Sequence, residues 1–261
     1  MLRFERYETP ETPQAAYELL QETRGATVIG GMMWLRLASR IAPMGIDLSR
    51  CGLDKIEHEG GEWRIGAMVT LERLSAHAGF AEATHGCFTQ GVRDIVGAQF
   101  RNLATVGGSV YARMGFSDIL TALLPLDCDV ELVGAGRVGL AEFAAKGAPK
   151  DVLTHVVVRD HDYHARFESV RNSATDFSAV NACAALWDGR WRVAVGARPS
   201  RATLVGEGGV ALPERFSADE LEALLASVAE VKFGDDRRAS AAYRAQVAPA
   251  LVRRAIEEAL A

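Results

Sequence analysis

Apolar and polar positions alternate with changing period along the chain, and each change marks an element. Pro10 to Gly25 has helical spacing, with Thr12 suited to cap, Pro13 suited to the first helical position and Gly25 able to end the helix. Thr27, Val28 and Ile29 form a short apolar run that predicts a strand. Beyond Gly30-Gly31 the helical period returns and predicts a helix from Met32 to about Arg40. Gly45 to Leu48 predicts the next strand, and the alternation of Lys55 to Ala67 around Gly60-Gly61 predicts a hairpin. Leu71 to His77 and Gln90 to Val96 have helical spacing, and Ser117 can cap a helix from Asp118 to Leu124.

The second half reads as strands followed by helices. Val130 to Val133 and Leu153 to Val158 are strand-like, and the polar stretch Arg159 to Arg166 suits a domain junction. Arg166 to Val170, Ala179 to Trp187 and Trp191 to Gly196 predict three strands, the last two joined by the hairpin pair Asp188-Gly189. A capping box, Ser217-Ala218-Asp219-Glu220, opens a helix to about Val228, and Ser240 to Gln246 and Ala248 to Ala261 predict two more. The expected fold class is α+β.

Composition narrows the setting. The chain has 261 residues, 49% hydrophobic and 24% charged, as expected for a soluble globular protein. No apolar run approaches a membrane span, and charges stand where a signal peptide would have its apolar core, so a cytoplasmic location is expected. A net charge of −5 gives no footprint for nucleic acid. Cys51, Cys87, Cys128 and Cys183 are far apart with no C-x-x-C pair, which argues for buried thiols rather than a zinc or iron–sulfur site. His161 and His164 form an H-x-x-H between aspartates, but without a third fixed partner the stretch reads as an exposed charged loop.

Candidate chemistry gathers at Arg101 to Asp118, RNLATVGGSVYARMGFSD. Gly107 and Gly108 can turn with positive φ and bring amide hydrogens close to a ligand, while Thr105 and Ser109 offer hydroxyls to a diphosphate. Asp118 is an acceptor suited to sugar or ribityl hydroxyls. A tight turn between strands would use the same glycines. Gly30-Gly31 is a second pair, at a strand end and an expected helix start, and two such loops can clamp one diphosphate. Gly134-Ala135-Gly136-Arg137-Val138-Gly139 is a literal G-x-G-x-x-G, but no alternating strand–helix pattern surrounds it, so a hairpin turn is expected there. No nucleophile, base and orienting group can be assembled, which assigns the chemistry to a bound cofactor.

These motifs, in this order, resemble the flavin-binding subunit of molybdopterin-dependent hydroxylases, the xanthine dehydrogenase and carbon monoxide dehydrogenase group. The resemblance rests on the first glycine pair, Arg101-Asn102-Leu103-Ala104-Thr105-Val106-Gly107-Gly108-Ser109, Leu126 to Leu132, Val152 to Val158, Phe167 to Asn181 and the closing Ser240-Ala241-Ala242-Tyr243-Arg244. It implies FAD as cofactor, held by Thr27, Val28, Ile29, Gly30, Gly31, Met32, Met33, Thr105, Gly107, Gly108 and Ser109, with Asp118 on flavin-side hydroxyls and Leu153 near the ring. It further implies an FAD-binding domain over 1–160, with lobes at about 1–52 and 53–160. A C-terminal domain over 161–261 would carry a three-stranded antiparallel sheet and a helical bundle. The implied partners are a small 2Fe-2S subunit and a large molybdopterin subunit, with NAD or another acceptor taking the electrons.

Three departures stand out. Met32-Met33 replaces the polar residues usual after the first glycine pair, SVYARMGFSD replaces the family's run before the aspartate, and Ser169 replaces a lysine for which Arg166 or Arg171 could stand in. Two other readings therefore remain open at this point: a self-contained flavoenzyme resembling the cell-wall precursor enolpyruvyl reductase, and a flavin-free assembly subunit.

Overall fold

The structure is a computed structural model that describes residues 1–147 and 149–261. In chain order its elements are β1 (Arg3–Glu8), α1 (Pro13–Glu22), β2 (Thr27–Ile29), β3 (Ile41–Asp47), β4 (Ile56–Glu59), β5 (Glu62–Gly66), α2 (Leu71–Ser75), α3 (Ala78–Ala83), α4 (Cys87–Arg93), α5 (Ala98–Arg101), α6 (Val106–Ala112), α7 (Asp118–Leu123), β6 (Cys128–Leu132), β7 (Gly136–Gly139), α8 (Leu140–Ala145), β8 (Leu153–Arg159), β9 (His164–Arg171), β10 (Ser178–Trp187), β11 (Arg190–Gly196), β12 (Thr203–Val205), β13 (Leu212–Pro213), α9 (Ala218–Ala229) and α10 (Ala241–Ala259). They fall into two compact units, one of residues 1–74, 98–112 and 129–159, the other of residues 75–97, 113–128 and 160–261.

The first unit contains two sheets. A three-stranded parallel sheet has the order β1-β3-β2, with Ile29 opposite Asp47. Thr12 Oγ1 accepts the Ala15 amide hydrogen at 3.1 Å and Pro13 opens α1, the cap expected from the sequence. The second sheet has the order β4-β5-β8-β6-β7 and includes two hairpins. Gly60 and Gly61 turn the β4-β5 hairpin with φ of +60° and +78°, and Gly136 begins β7 with φ of +71°.

The second unit is α+β. Its antiparallel sheet runs β12-β11-β10-β9 with β13 beside β11, so the three expected strands are extended by two short ones. Asp188 and Gly189 both adopt positive φ between β10 and β11, the conformation a two-residue hairpin needs. Both α9 and α10 bury apolar residues in the same core as Val180, Ala182, Trp191 and Val193; Leu221, Leu224, Leu225 and Val228 of α9 each contribute roughly 1.5–3 kcal/mol through burial. The capping box at Ser217 and Glu220 is formed in both directions.

Three expectations are corrected. Met32 to Arg40 is not a helix: Met32 adopts φ of +57°, a single 3₁₀ turn covers Leu35–Leu37 without a side-chain cap, and Leu37 is exposed rather than packed. Without a capped first turn or a buried face, helical spacing alone did not nucleate one. The two C-terminal helices are one, because Ala248, Leu251, Val252, Ala255 and Ile256 bury a continuous stripe that offsets the hydrogen bond Pro249 removes. Gly107 and Gly108 lie inside α6 rather than in a turn, and neither has positive φ.

Candidate functional site

The first glycine pair follows the carboxyl end of β2, an edge strand of a parallel sheet, the location where α/β sheets present loops to ligands. Thr27, Val28 and Ile29 serve as its scaffold: Ile29 is buried, and Thr27 Oγ1 accepts from Arg40 Nη2 at 2.9 Å. An ideal Cβ on Gly31 would lie 1.6 Å from the Leu103 carbonyl oxygen, so this position requires glycine for the chain's own backbone to approach. The amides of Gly31, Met32 and Met33 have no hydrogen-bond partner among the described residues. A run of unpaired N–H groups that includes a left-handed residue, here Met32, is a feature of anion-binding loops.

The second pair is packed against the first. Thr105 bridges Thr70, the Val106 amide hydrogen goes to the Val69 carbonyl at 2.9 Å, and that of Gly107 goes to the Ala67 carbonyl at 3.0 Å. A Cβ on Gly107 would fall 2.5 Å from Ala67 Cβ, so this glycine also serves close packing. Thr105 Oγ1 accepts the Gly108 amide hydrogen at 3.2 Å, while the Ser109 amide and hydroxyl both donate to the Thr105 carbonyl, at 3.0 and 2.9 Å. The amides from Val106 to Ser109 are therefore consumed within the chain. Of the two pairs, the open amide donors belong to Gly31–Met33.

Thr105 joins the two loops. Its Oγ1 would stand 2.8 Å from a Cβ on Gly30 and 2.9 Å from a Cβ on Gly108, although only 4% of the residue is exposed. It accepts from Gly108, and its own hydroxyl hydrogen has no acceptor among the described residues. Thr27 to Met33 and Thr105 to Ser109 thus belong to one neighbourhood of the first unit. Leu153 is buried in the same unit, on β8.

Asp118 belongs to the second unit. It opens α7 behind the Ser117 cap, whose Oγ accepts the Leu120 amide hydrogen at 3.0 Å, and its carboxylate receives donors from Arg171, Ser178 and Asn181. The sequence did not identify Ser178 or Asn181 as partners, since both lie about sixty residues away on β10. Neither arginine proposed to replace a lysine at Ser169 is a free cation: Arg171 is paired with Asp118, and Arg166 with Glu168 and Glu258 at 2.8 and 2.6 Å.

Several features are structural. The Asp151 carboxylate fills the G-x-G-x-x-G loop by accepting the Gly134 and Ala135 amide hydrogens at 2.9 Å each. His161 contacts Asp127 at 3.0 Å and packs against Trp187 with the rings tilted by 34°. All four cysteines are buried thiols outside any disulfide among the described residues, and burial pushes the Cys183 thiol well up, with Cys87 adding to the shift. In the closing SAAYR, Arg244 is fully buried and donates to the Ala179 carbonyl at 2.6 Å, to Asp236 at 2.6 Å and to the Ala239 carbonyl at 2.8 Å. That motif is a staple of the C-terminal unit. Among the described residues no helix is long and apolar enough to cross a membrane.

Residues 2–158 match the family described as the FAD binding domain in molybdopterin dehydrogenase, and the chain belongs to that family. The cofactor of the family is FAD, and the chain is related to flavoprotein components of oxidoreductases. An uncharacterized protein, YgfM, of Escherichia coli strain K12 is 24% identical over 253 residues, 95% of this chain and 93% of its own. Among solved structures, a carbon monoxide dehydrogenase chain from Hydrogenophaga pseudoflava superimposes with a TM-score of 0.87 at 22% identity, covering 99% of this chain and 97% of that one. A quinoline 2-oxidoreductase chain from Pseudomonas putida 86 gives 0.82 at 22% identity, covering 98% and 96%. These likenesses establish the fold.

Proposed function

We propose that this chain is the FAD-carrying electron-transfer subunit of a heteromeric molybdenum hydroxylase. Its partners would be a small 2Fe-2S subunit and a large molybdopterin subunit, and NAD or another acceptor would take the electrons. The reaction on the organic substrate occurs elsewhere in the complex. The observation that carries the reading is the set of unpaired amides at Gly31, Met32 and Met33, beside a Thr105 hydroxyl whose hydrogen is uncommitted. Such donors fit a diphosphate, and their backbone character explains why Met32 and Met33 need contribute no polar side chain.

In this reading Gly30, Gly31, Met32, Met33 and Thr105 hold the diphosphate, Thr27 to Ile29 fix the loop, and Gly107, Gly108 and Ser109 shape the wall behind it. Asp118 accepts hydroxyls and Leu153 packs near the ring. The flavin-binding portion is residues 1–160, followed by a C-terminal domain over 161–261, in a cytoplasmic protein. FAD, when bound, supplies the redox chemistry; the chain's residues bind and orient it. Expression with a tag in the native host tests the assignment. The chain should co-purify with an iron–sulfur protein and a larger molybdenum-containing one. Recovery of a homomer that turns over an organic substrate unaided would overturn it.

A further inference from the structure

Thr23 to Ile46 carries Arg24, Arg36 and Arg40 and no aspartate or glutamate, in a chain whose net charge is −5. Past the Gly31–Met33 amides this stretch takes an irregular course, with the Arg36 amide donating to the Met32 carbonyl at 3.1 Å and a 3₁₀ turn confined to Leu35–Leu37. It leaves large apolar side chains on the surface: Leu37 is 67% exposed, Ile41 at the start of β3 66%, and Trp34 41%. Arg36 and Arg40 are exposed among them. Arg3 joins them from β1, where it lies opposite Ile41 and its amide donates to the Arg40 carbonyl at 3.0 Å.

None of Arg3, Arg36 and Arg40 meets a carboxylate among the described residues; Arg40 has only the Thr27 hydroxyl as acceptor. Elsewhere in the same unit arginines are paired: Arg64 meets Glu131 at 2.7 Å, Arg101 meets Glu72 at 2.6 Å and Arg137 meets Glu62 at 2.7 Å. Exposed tryptophan, leucine and isoleucine side chains interleaved with unpaired arginines have the composition of a protein interface rather than of ordinary solvated surface. The matching surface must supply an apolar centre and carboxylates. An anionic membrane is the poorer fit, because the chain as a whole is negative and the stretch forms no amphipathic helix.

We propose that Trp34, Leu37 and Ile41, with Arg3, Arg36 and Arg40, form the docking surface for the small 2Fe-2S subunit. This rests on the subunit reading above and deepens it by giving one partner a place on the first unit. A 2Fe-2S cluster held by four thiolates carries net negative charge, so a positive face favours its approach. The surface begins directly after Met33, the last of the proposed diphosphate donors, and a partner seated on it stands beside the loop that holds the cofactor.

The test uses the tagged full chain expressed in its native host and measures iron, molybdenum and FAD recovered per chain, with melting followed by circular dichroism. Leu37→Asp and Arg36→Glu are compared with Leu260→Asp, an exposed leucine of the other unit. Each of the first two should lower the recovered iron at least about tenfold, whether or not molybdenum is lost with it, while FAD stays within about twofold and melting is unchanged. Leu260→Asp should retain the iron. Undiminished iron in both variants would overturn the proposal, as would loss of molybdenum alone, loss of FAD together with iron, or an intact complex from variants that have lost only self-association or binding to phosphatidylserine vesicles. An unsubstituted chain that brings down no iron–sulfur protein would instead overturn the subunit reading on which it rests.

Discussion

Gly134 donates its amide hydrogen to Asp151 Oδ1 at 2.9 Å, and the adjacent Ala135 amide reaches Oδ2 at the same distance. The loop with the familiar glycine spacing is thus occupied by the protein's own carboxylate, in the position where a nucleotide phosphate would have to bind. Gly136, at φ of +71° with nothing within 4 Å of an added Cβ, is needed for backbone conformation alone. Gly136→Ala should cost about 1–2 kcal/mol of stability through the left-handed penalty and leave FAD affinity unchanged. Chemical denaturation and a flavin titration on the same variant check both outcomes.

The two glycine pairs should respond differently to substitution. Gly31→Ala places a carbon 1.6 Å from the Leu103 carbonyl oxygen, a clash only backbone movement relieves, so the loop should be displaced with a loss of about 2 kcal/mol or more and of FAD binding. Gly108→Ala meets only Thr105 Oγ1, at 2.9 Å. It should melt near the unsubstituted protein while weakening FAD about tenfold by turning the hydroxyl. Thermal melts and FAD titrations of the two variants measure this contrast.

Met32 has φ of +57°, a conformation that costs a non-glycine residue about 1 kcal/mol. Met32→Gly should offset part of that strain and retain FAD affinity, because the proposed donors are amides. A tenfold loss on this substitution would show that the thioether itself contacts the ligand.

Acid should loosen the C-terminal unit. Burial alone would raise the Asp236 carboxyl, but the Arg244 guanidinium and the Arg238 and Ala239 amides outweigh it and hold the pKa at about 2. A depressed folded-state pKa contributes stability that is present above the unfolded value near 4 and lost as pH falls toward 2. Asp236→Asn should therefore flatten the melting temperature against pH between about 4 and 2, a change followed by calorimetric scans. Arg244→Met should cost about 3 kcal/mol at neutral pH, since it leaves the facing Ala179 and Ala239 carbonyls without the guanidinium donor and takes one of several donors from Asp236.

Local signals carried much of this fold. The Thr12 and Ser217 caps, the Gly60-Gly61 turn and the Asp188-Gly189 hairpin are short-range features, and each is formed as its residues suggested. β1 was missed because its alternating polar residues are paired on one side only, along β3. α6 was missed because Gly107 and Gly108 read as a turn, whereas Gly107 is required for contact with Ala67 and Thr105 Oγ1 accepts the Gly108 amide hydrogen in the first turn. Both candidate loops were visible as glycine pairs. Which of them keeps its amides free depends on hydrogen bonds from 106–107 back to 67–69, a tertiary relation with no local trace.

The most direct measurement is an FAD titration of the purified chain, by calorimetry and by absorbance after desalting. The account predicts one FAD per chain, bound without a covalent link and released on denaturation. A folded chain that shows no flavin absorbance and no binding heat after incubation with FAD would contradict it.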